Sequence, residues 1–300
     1  MPRIVVAASM NMDLAAYAPH LPARGETVLG TRIAHSPGGK GLNQAVAAAR
    51  LGAAVTVLGT LGRDDAGDKV QAFLTAEGID VAAITRIADT PSGLALILVD
   101  DASHNAIVVI PGANMAWPAG TADGGAIAAG DIVAATFEIA DIEIERVFTR
   151  ARAVGATTIL NPAPARAASP RLLALADQII LNEVELPAII GRPVDPTDIR
   201  AVTAAAQDLA AGRQAVVATL GKAGAVLAAD GGARHVPAAP VTAVDTAAAG
   251  DCFIGAWMAA LATGASYATA ADLATRAAAL SVTRQGTAVS LPYRAEVSGF

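Results

Sequence analysis

The 300 residues are 54% hydrophobic and carry a formal net charge of −6, enough apolar material for a sizeable core in one large domain or two ordinary ones. Aromatics at 3% and the lack of a long basic run leave neither stacking surfaces for bases nor an electrostatic footprint for nucleic acid. The single cysteine, Cys252, excludes an intrachain disulfide and fits a reducing compartment, so a cytoplasmic protein is expected.

An apolar, β-rich run over residues 3–8 reads as a buried strand, too short for a signal peptide. Ser9, Asn11 and Asp13 follow it as caps or ligand contacts, and taken alone they favour capping. Residues 14–36 hold Pro19, Pro22, Gly25 and Gly30 and show no helical period. Short strands are expected there at 27–29 and 32–35, as a small β excursion. Pro37-Gly38-Gly39-Lys40-Gly41-Leu42-Asn43-Gln44 comes next and opens a helix expected over 45–51. Its glycines permit close backbone approach to a ligand. Gly41 after Lys40 rules out a Walker A loop, and a tight turn with a solvated Lys40 is the plain alternative.

A strand is expected at 55–59, and a helix at 65–77 stopped by Gly78. Residues 92–99 and 105–110 are β-rich and flank Asp100-Asp101-Ala102-Ser103-His104, a polar hairpin connection. Together with the earlier excursion they form a small sheet over one face of the main domain. From Asp131 onward strands are expected at 132–136, 157–160, 178–181, 215–219 and 225–229. Helices are expected at 143–154, 170–175, 197–211, 253–261 and 268–282. This alternation implies a parallel sheet with helices on both faces. Ligands of such sheets bind beyond the carboxyl ends of the strands, which draws attention to Glu138, Asn161, Asn182, Glu185 and Thr219.

Val244-Asp245-Thr246-Ala247-Ala248-Ala249-Gly250-Asp251-Cys252-Phe253 places small residues before Asp251 at the head of an apolar helix. Free N–H groups and the helix dipole there make an anion site. Asp251 could then take a proton from a hydroxyl while the backbone holds a phosphoryl group. An Ala-rich turn with Asp251 as N-cap fits these ten residues equally. No His is near Cys252 in sequence, so its thiol reads as a small buried side chain. Residues 252–271 are uncharged over the length of a membrane span. Gly264 and Ser266 break them into two helices, so no membrane partner is expected.

Taken in order, these motifs resemble the PfkB family of carbohydrate kinases. Residues 37–44 resemble its first signature and 245–253 its second, with Asn182-Glu183-Val184-Glu185 in the place of its N-x-x-E element. Asn11-Met12-Asp13, the run from Gly38 to Asn43, and Val282-Thr283-Arg284-Gln285-Gly286 look most like the ribokinase branch. The resemblance spans nearly the whole chain. It implies an α/β, ribokinase-like fold: a mainly parallel central sheet flanked by helices, with a small β-sheet lid. Residues 1–12, 37–91 and 112–300 would form the main nucleotide- and sugar-binding domain, and 13–36 and 92–111 the lid.

The activity implied is ATP-dependent phosphorylation of D-ribose at its 5-hydroxyl. The alternatives are a related kinase for deoxyribose, another sugar or a nucleoside, and, more distantly, a non-catalytic sugar sensor. A nucleoside needs an apolar or aromatic shelf, and Tyr17 is the one aromatic in the expected lid. A silent sensor would be expected to lack Asp251, Gly250 or Asn182, all of which are present.

By the same resemblance Asp251 is the general base, and the N–H groups of Ala248, Ala249, Gly250 and Asp251 form an anion hole. Asn11, Asp13, Gly39, Lys40, Gly41, Asn43 and Glu138 would hold the sugar. Asn182, Thr219, Leu220, Gly221, Lys222, Ala223, Gly224 and Thr275 would line the ATP site with Gly250 and Asp251. Mg2+ would bridge the phosphates, with Asn182 and Glu185 acting through its water shell. An activating K+ would lie among Asp245, Ala247, Ser281, Arg284, Gly286 and Ser290, mostly on carbonyl oxygens; capping of local N–H groups is the alternative role of Asp245. Family lids often pair into a homodimer, and β edges at 27–35 and 105–110 suit such pairing. The chain departs from the family pattern at Leu42 in the sugar-binding stretch, at Cys252 after the base, at Thr275 near the adenine, and after Glu138.

Overall fold

The computed structural model describes residues 2–102, 104–123 and 127–299. Ser103 of the expected hairpin connection lies outside the described residues, as do Met1, residues 124–126 and Phe300 of the expected main domain. The chain begins with β1 (Ile4–Ala7), β2 (Asn11–Ala18), β3 (Arg32–Gly38) and α1 (Lys40–Arg50). Then come β4 (Val55–Gly62), α2 (Asp65–Ala76), β5 (Ile84–Ile87), β6 (Gly93–Asp100) and β7 (Asn105–Ile110). β8 (Ile132–Thr136), α3 (Asp141–Ala153), β9 (Thr157–Asn161), α4 (Pro170–Leu175), β10 (Gln178–Asn182), α5 (Glu185–Ile190) and α6 (Ile199–Ala210) alternate after them. The last third holds β11 (Ala215–Thr219), β12 (Ala225–Ala229), β13 (Gly232–Val236), α7 (Ala249–Ala262), α8 (Tyr267–Ser281) and α9 (Arg294–Ser298).

Nine strands form the central sheet in the order β13-β12-β11-β10-β9-β8-β1-β4-β5. From β11 to β5 every pairing is parallel. A parallel sheet is covered on both faces, so its strands send alternate side chains into two separate layers. Ile4 and Val6 join the layer under α1, α7 and α8; Val5 and Ala7 join the layer under α3 and α6. Each layer holds one of the two tryptophans, Trp257 in the first and Trp117 in the second. Alanines let α1 and α7 approach closely, and Gly255 takes this furthest. A Cβ there would sit 2.4 Å from the Ala47 Cβ.

The four-stranded small sheet, in the order β3-β2-β6-β7, grows from the carboxyl end of β1, because only Ala8, Ser9 and Met10 separate β1 from β2. Its formation differs from expectation at two places. Residues 27–29 are not a strand: Leu29 is 86% exposed, and the Glu26 carboxylate holds a turn by accepting the Ala23 N–H at 2.8 Å and pairing with His20. Residues 11–18, read as caps and irregular chain, are the strand at the sheet's centre, paired with β3 and β6.

At the far edge of the central sheet β12 runs antiparallel to β11, and β13 antiparallel to β12. The Asp230-Gly231 turn joins the last two, both residues having positive φ, as a tight hairpin requires. β5, β13, α5 and α9 add to the expected elements. α1 and α7 start earlier than their apolar patterns do, at Lys40 and Ala249. Ser266 caps α8 by accepting the Thr269 N–H, which separates it from α7. Among the described residues no helix is long and apolar enough to cross a membrane.

Candidate active site

Two helix starts meet above the carboxyl ends of β1, β8, β9 and β10. The first is fixed by Gly39, the N-cap of α1, whose φ of 97° is left-handed and whose Cβ would lie 2.8 Å from the Ser9 carbonyl oxygen. Any other residue there would be strained and would collide with β1's exit. α1 then presents Lys40, Asn43 and Gln44, at i, i+3 and i+4, on one face. The second start is α7, whose N-cap Ala248 also has left-handed φ, 58°.

Asp251 lies buried in the first turn of α7. Asn43 Nδ2 donates to its Oδ2 at 3.0 Å and Gln44 Nε2 to its Oδ1 at 3.2 Å. Burial raises its pKa; Lys40 and these two amides act against that, and Glu138 adds to the rise. Among the described residues, the N–H groups of Ala248, Gly250 and Asp251 have no protein acceptor, while that of Ala249 reaches the Thr246 carbonyl at 3.3 Å. Three open donors thus remain at the positive end of α7, beside a carboxylate.

Lys40 stands between three carboxylates. Asp251 first, then Glu138 and Glu185, raise its pKa against the effect of burial, so its ammonium stays charged. Glu138 Oε2 accepts the Lys40 N–H at 2.9 Å and the Ser9 hydroxyl at 2.6 Å. Asp13 is buried with no hydrogen-bond partner among the described residues, and burial, aided by Glu138, pushes it up to about 7. Asn11 Oδ1 accepts from Asn114 Nδ2 at 2.7 Å.

Asn182 and Glu185 cap each other after β10: Asn182 Oδ1 accepts the Glu185 N–H, and Glu185 Oε2 accepts the Asn182 N–H, both at 2.9 Å. Burial raises Glu185's pKa, against that N–H and Lys40. Lys40, Asn161, Asn182, Glu185, Thr219 and residues 248–251 line one cavity of about 180 Å3. A larger, mostly apolar cleft adjoins it through Thr219, Thr246, Ala249 and Gly250. Gly221, Lys222, Gly224, Phe253, Thr275 and Val282 are among its walls.

The sequence matches the profile of the pfkB family carbohydrate kinase over residues 1–294. The protein belongs to the pfkB family of carbohydrate kinases. It is therefore a phosphotransferase with an alcohol group as acceptor. A ribokinase of Haemophilus influenzae is 36% identical to it over 99% of this chain and 97% of the relative. A deoxyribokinase of Salmonella typhi is 34% identical over 96% and 95%. An Arabidopsis thaliana ribokinase solved with ribose and ATP superposes with a TM-score of 0.88 at 28% identity, covering 99% of this chain and 98% of that one.

In this pfkB kinase the Asp245 carboxylate joins two loops, Oδ1 accepting the Ala247 N–H and Oδ2 the Gly286 N–H, each at 2.9 Å. The hydroxyls of Ser281 and Ser290 donate to the carbonyls of Ala278 and Thr287, and the Arg284 side chain pairs with Glu296. Their side chains are thus engaged locally. Several expected residues stand apart from the cavities. Gly41 packs against β1, where a Cβ would come within 2.5 Å of the Ala8 Cα. Leu220 lies in the core, and Ala223 lines neither cavity. Leu42 is fully buried in the core and does not trim the cavity. Burial drives the Cys252 thiol up to about 12, which leaves it unreactive. The Thr275 hydroxyl is buried without a partner at the cleft wall.

The sequence pattern does not mark Gln44 or Asn114 individually as site residues, and it marks Ser9 only as a cap or ligand contact. Gln44 sits inside the glycine-rich motif, so its signal was the motif itself. Asn114 lies on a short helical turn far from any motif, and only the fold brings it to Met10 and Asn11.

Proposed function

We propose that this pfkB kinase is a ribokinase that transfers the γ-phosphoryl group of ATP to the 5-hydroxyl of D-ribose. One observation carries the reading: a buried carboxylate, oriented by two amides, sits within one helical turn of three open backbone N–H donors. Asp251 takes the proton of the sugar hydroxyl, whose oxygen attacks the γ-phosphorus as the bond to the ADP oxygen breaks. The N–H groups of Ala248, Gly250 and Asp251 meet the charge on the transferring phosphoryl oxygens, and Lys40 balances it from the other side. Placement contributes more than basicity, since a carboxylate is a weak base.

Asn11, Asp13, Lys40, Asn43 and Glu138 offer donors and acceptors dense enough for a polyhydroxy ligand. The Asn43 Oδ1 is buried without a partner, as an acceptor awaiting a hydroxyl must be. Such a site discriminates strongly against analogues that lack the hydroxyl it binds. The apolar cleft between Phe253, Thr275 and Val282 suits the adenine.

Magnesium, when bound, neutralises and orients the ATP phosphates. Asn182 and Glu185 would hold it through water, and the fit is good: Glu185 faces the cavity with one oxygen engaged by a backbone N–H. An activating K+ would rest on carbonyl oxygens around Asp245, Ala247, Ser281, Arg284, Gly286 and Ser290. Asp245 supplies the compensating charge there and ties the two loops together.

Residues 13–36 and 92–111 act as the lid, closing over the sugar to exclude water. A homodimer through the lids is the arrangement we favour, because Ile107, Val108, Val109 and Ile110 are exposed along an edge strand. The cytoplasm suits the single, buried thiol.

The test is ADP release with Mg-ATP, with and without K+, on ribose, deoxyribose, fructose, adenosine and pseudouridine. Potassium-stimulated turnover on ribose is expected. Preference for deoxyribose would move the substrate and keep the mechanism. Sugar binding without turnover on any member would replace the enzyme reading by a sensor.

A further inference from the structure

The orientation of Asp251 can be traced outward, through two amides, to a backbone atom. The Ile180 carbonyl of β10 is an acceptor whose direction the sheet fixes. Asn161 Nδ2 donates to it at 3.0 Å. The Asn161 carboxamide must therefore turn its Oδ1 the other way, where it accepts from Gln44 Nε2 at 3.1 Å. That bond in turn fixes the Gln44 amide, because a flipped Gln44 would set Oε1 against Asn161 Oδ1 and Asp251 Oδ1 together. The second hydrogen of the same NH2 group reaches Asp251 Oδ1 at 3.2 Å. The amide assignment at both positions follows from one backbone carbonyl. Gln44 is fully buried and its Oε1 has no partner among the described residues, so this geometry is held at the expense of an unmet acceptor.

We propose that Gln44 and Asn161 are positioning residues of the phosphoryl transfer, forming a two-amide relay that locks the Asp251 carboxylate to the backbone of β10. The proposal rests on the reading of Asp251 as the base. The relay fixes the plane of the carboxylate, while Asn43, on the opposite oxygen, remains free to exchange its contact for a sugar hydroxyl. It also acts on Asp251's proton affinity, since the Gln44 N–H favours the ionised form. The other charged groups facing Asp251 are Lys40 from α1, Glu138 after β8 and Glu185 from α5. None of them is altered by substitution in the relay.

The test uses Gln44→Met and Asn161→Leu, each close in volume to the native side chain, their double variant, and Asp251→Asn. Steady-state kinetics with Mg-ATP and the best sugar substrate are measured from pH 5 to 9. Each single variant is expected to lose kcat on the order of 10- to 100-fold with the sugar and ATP KM changed less than about threefold. The acid limb of kcat should move to higher pH in Gln44→Met, because a donor to the ionised carboxylate is gone. The double variant should fall no further than the worse single one, as for residues that act in series.

Losses confined to KM, an unmoved acid limb, or additive losses would overturn the relay. Were Gln44→Met to fail to fold, Asn161→Leu carries the test, with a kcat loss at nearly unchanged KM supporting the relay and an unchanged kcat overturning it. Full activity in Asp251→Asn would sink the base reading itself. An inactive Asp251→Asn beside a fully active Gln44→Met would sink the relay alone.

Discussion

Asp13 and Asp251 are both buried carboxylates, yet their surroundings give them different tasks. Asp251 has two amide donors and Lys40 that favour its ionised form against the effect of burial. Asp251→Asn should cut kcat on the order of 10²- to 10⁴-fold and leave ADP affinity by calorimetry within about twofold. Asp13 has no such donors and reaches about 7 from the ordinary 3.8. Because its folded value lies above its unfolded one, the folded state binds the extra proton between those limits. Stability is therefore lost as pH rises from about 4 to 7 and stays flat above. At about 1.4 kcal/mol per unit the cost at pH 8 is on the order of 4 kcal/mol. Asp13→Asn should accordingly raise the urea midpoint at pH 8 but not at pH 4, while weakening sugar affinity at both. A midpoint shift independent of pH would show that Asp13 titrates normally.

At the scale of elements, the site depends on how closely α1 and α7 pack. Gly255→Leu places a side chain where even a Cβ has no room. It should destabilise the fold by about 1–3 kcal/mol, as overpacking does, and also reduce kcat by drawing Asp251 away from Asn43. Equilibrium urea denaturation beside kinetics separates the two effects. The same helices show what could be read from the chain and what could not. Their apolar periods were legible, but their first turns, Lys40–Asn43 and Ala249–Cys252, are mostly small or polar residues that carry no clear period, so the expected starts fell too late. The parallel strands 132–136 and 215–219 were legible to the residue because they are short apolar runs with polar ends. β2 was not, because Asn11–Ala18 contains no β-branched residue and the strand exists only through partners distant in sequence. Asp251 and Asn182 could be picked out by motif, whereas Asn161 stood out only as a residue at a strand end, with no indication that it reaches Gln44.

On the scale of the whole molecule, the small sheet is built from the exits of β1 and α1's approach, so Asn11 and Asp13, the residues proposed to hold the sugar, lie on the strand that joins it to the central sheet. Its outer strand β7 leaves Val109 48% exposed among other aliphatic residues. Val109→Glu should convert a dimer to a monomer by light scattering, with a raised sugar KM if the lids brace one another. A variant that is monomeric like the wild type would remove the dimer from the account.

The division of the interior by the central sheet also equips the molecule with its own pair of optical reporters. Trp257 donates to Gln178 and stacks on Tyr267 on one side of the sheet, and Trp117 is enclosed on the other. Replacing either by Phe leaves emission from a single side. If the sheet and both helical layers melt as one body, the two singly fluorescent proteins will show coincident urea curves once normalised for their own midpoints. A biphasic curve in one of them would reveal which side lets go first.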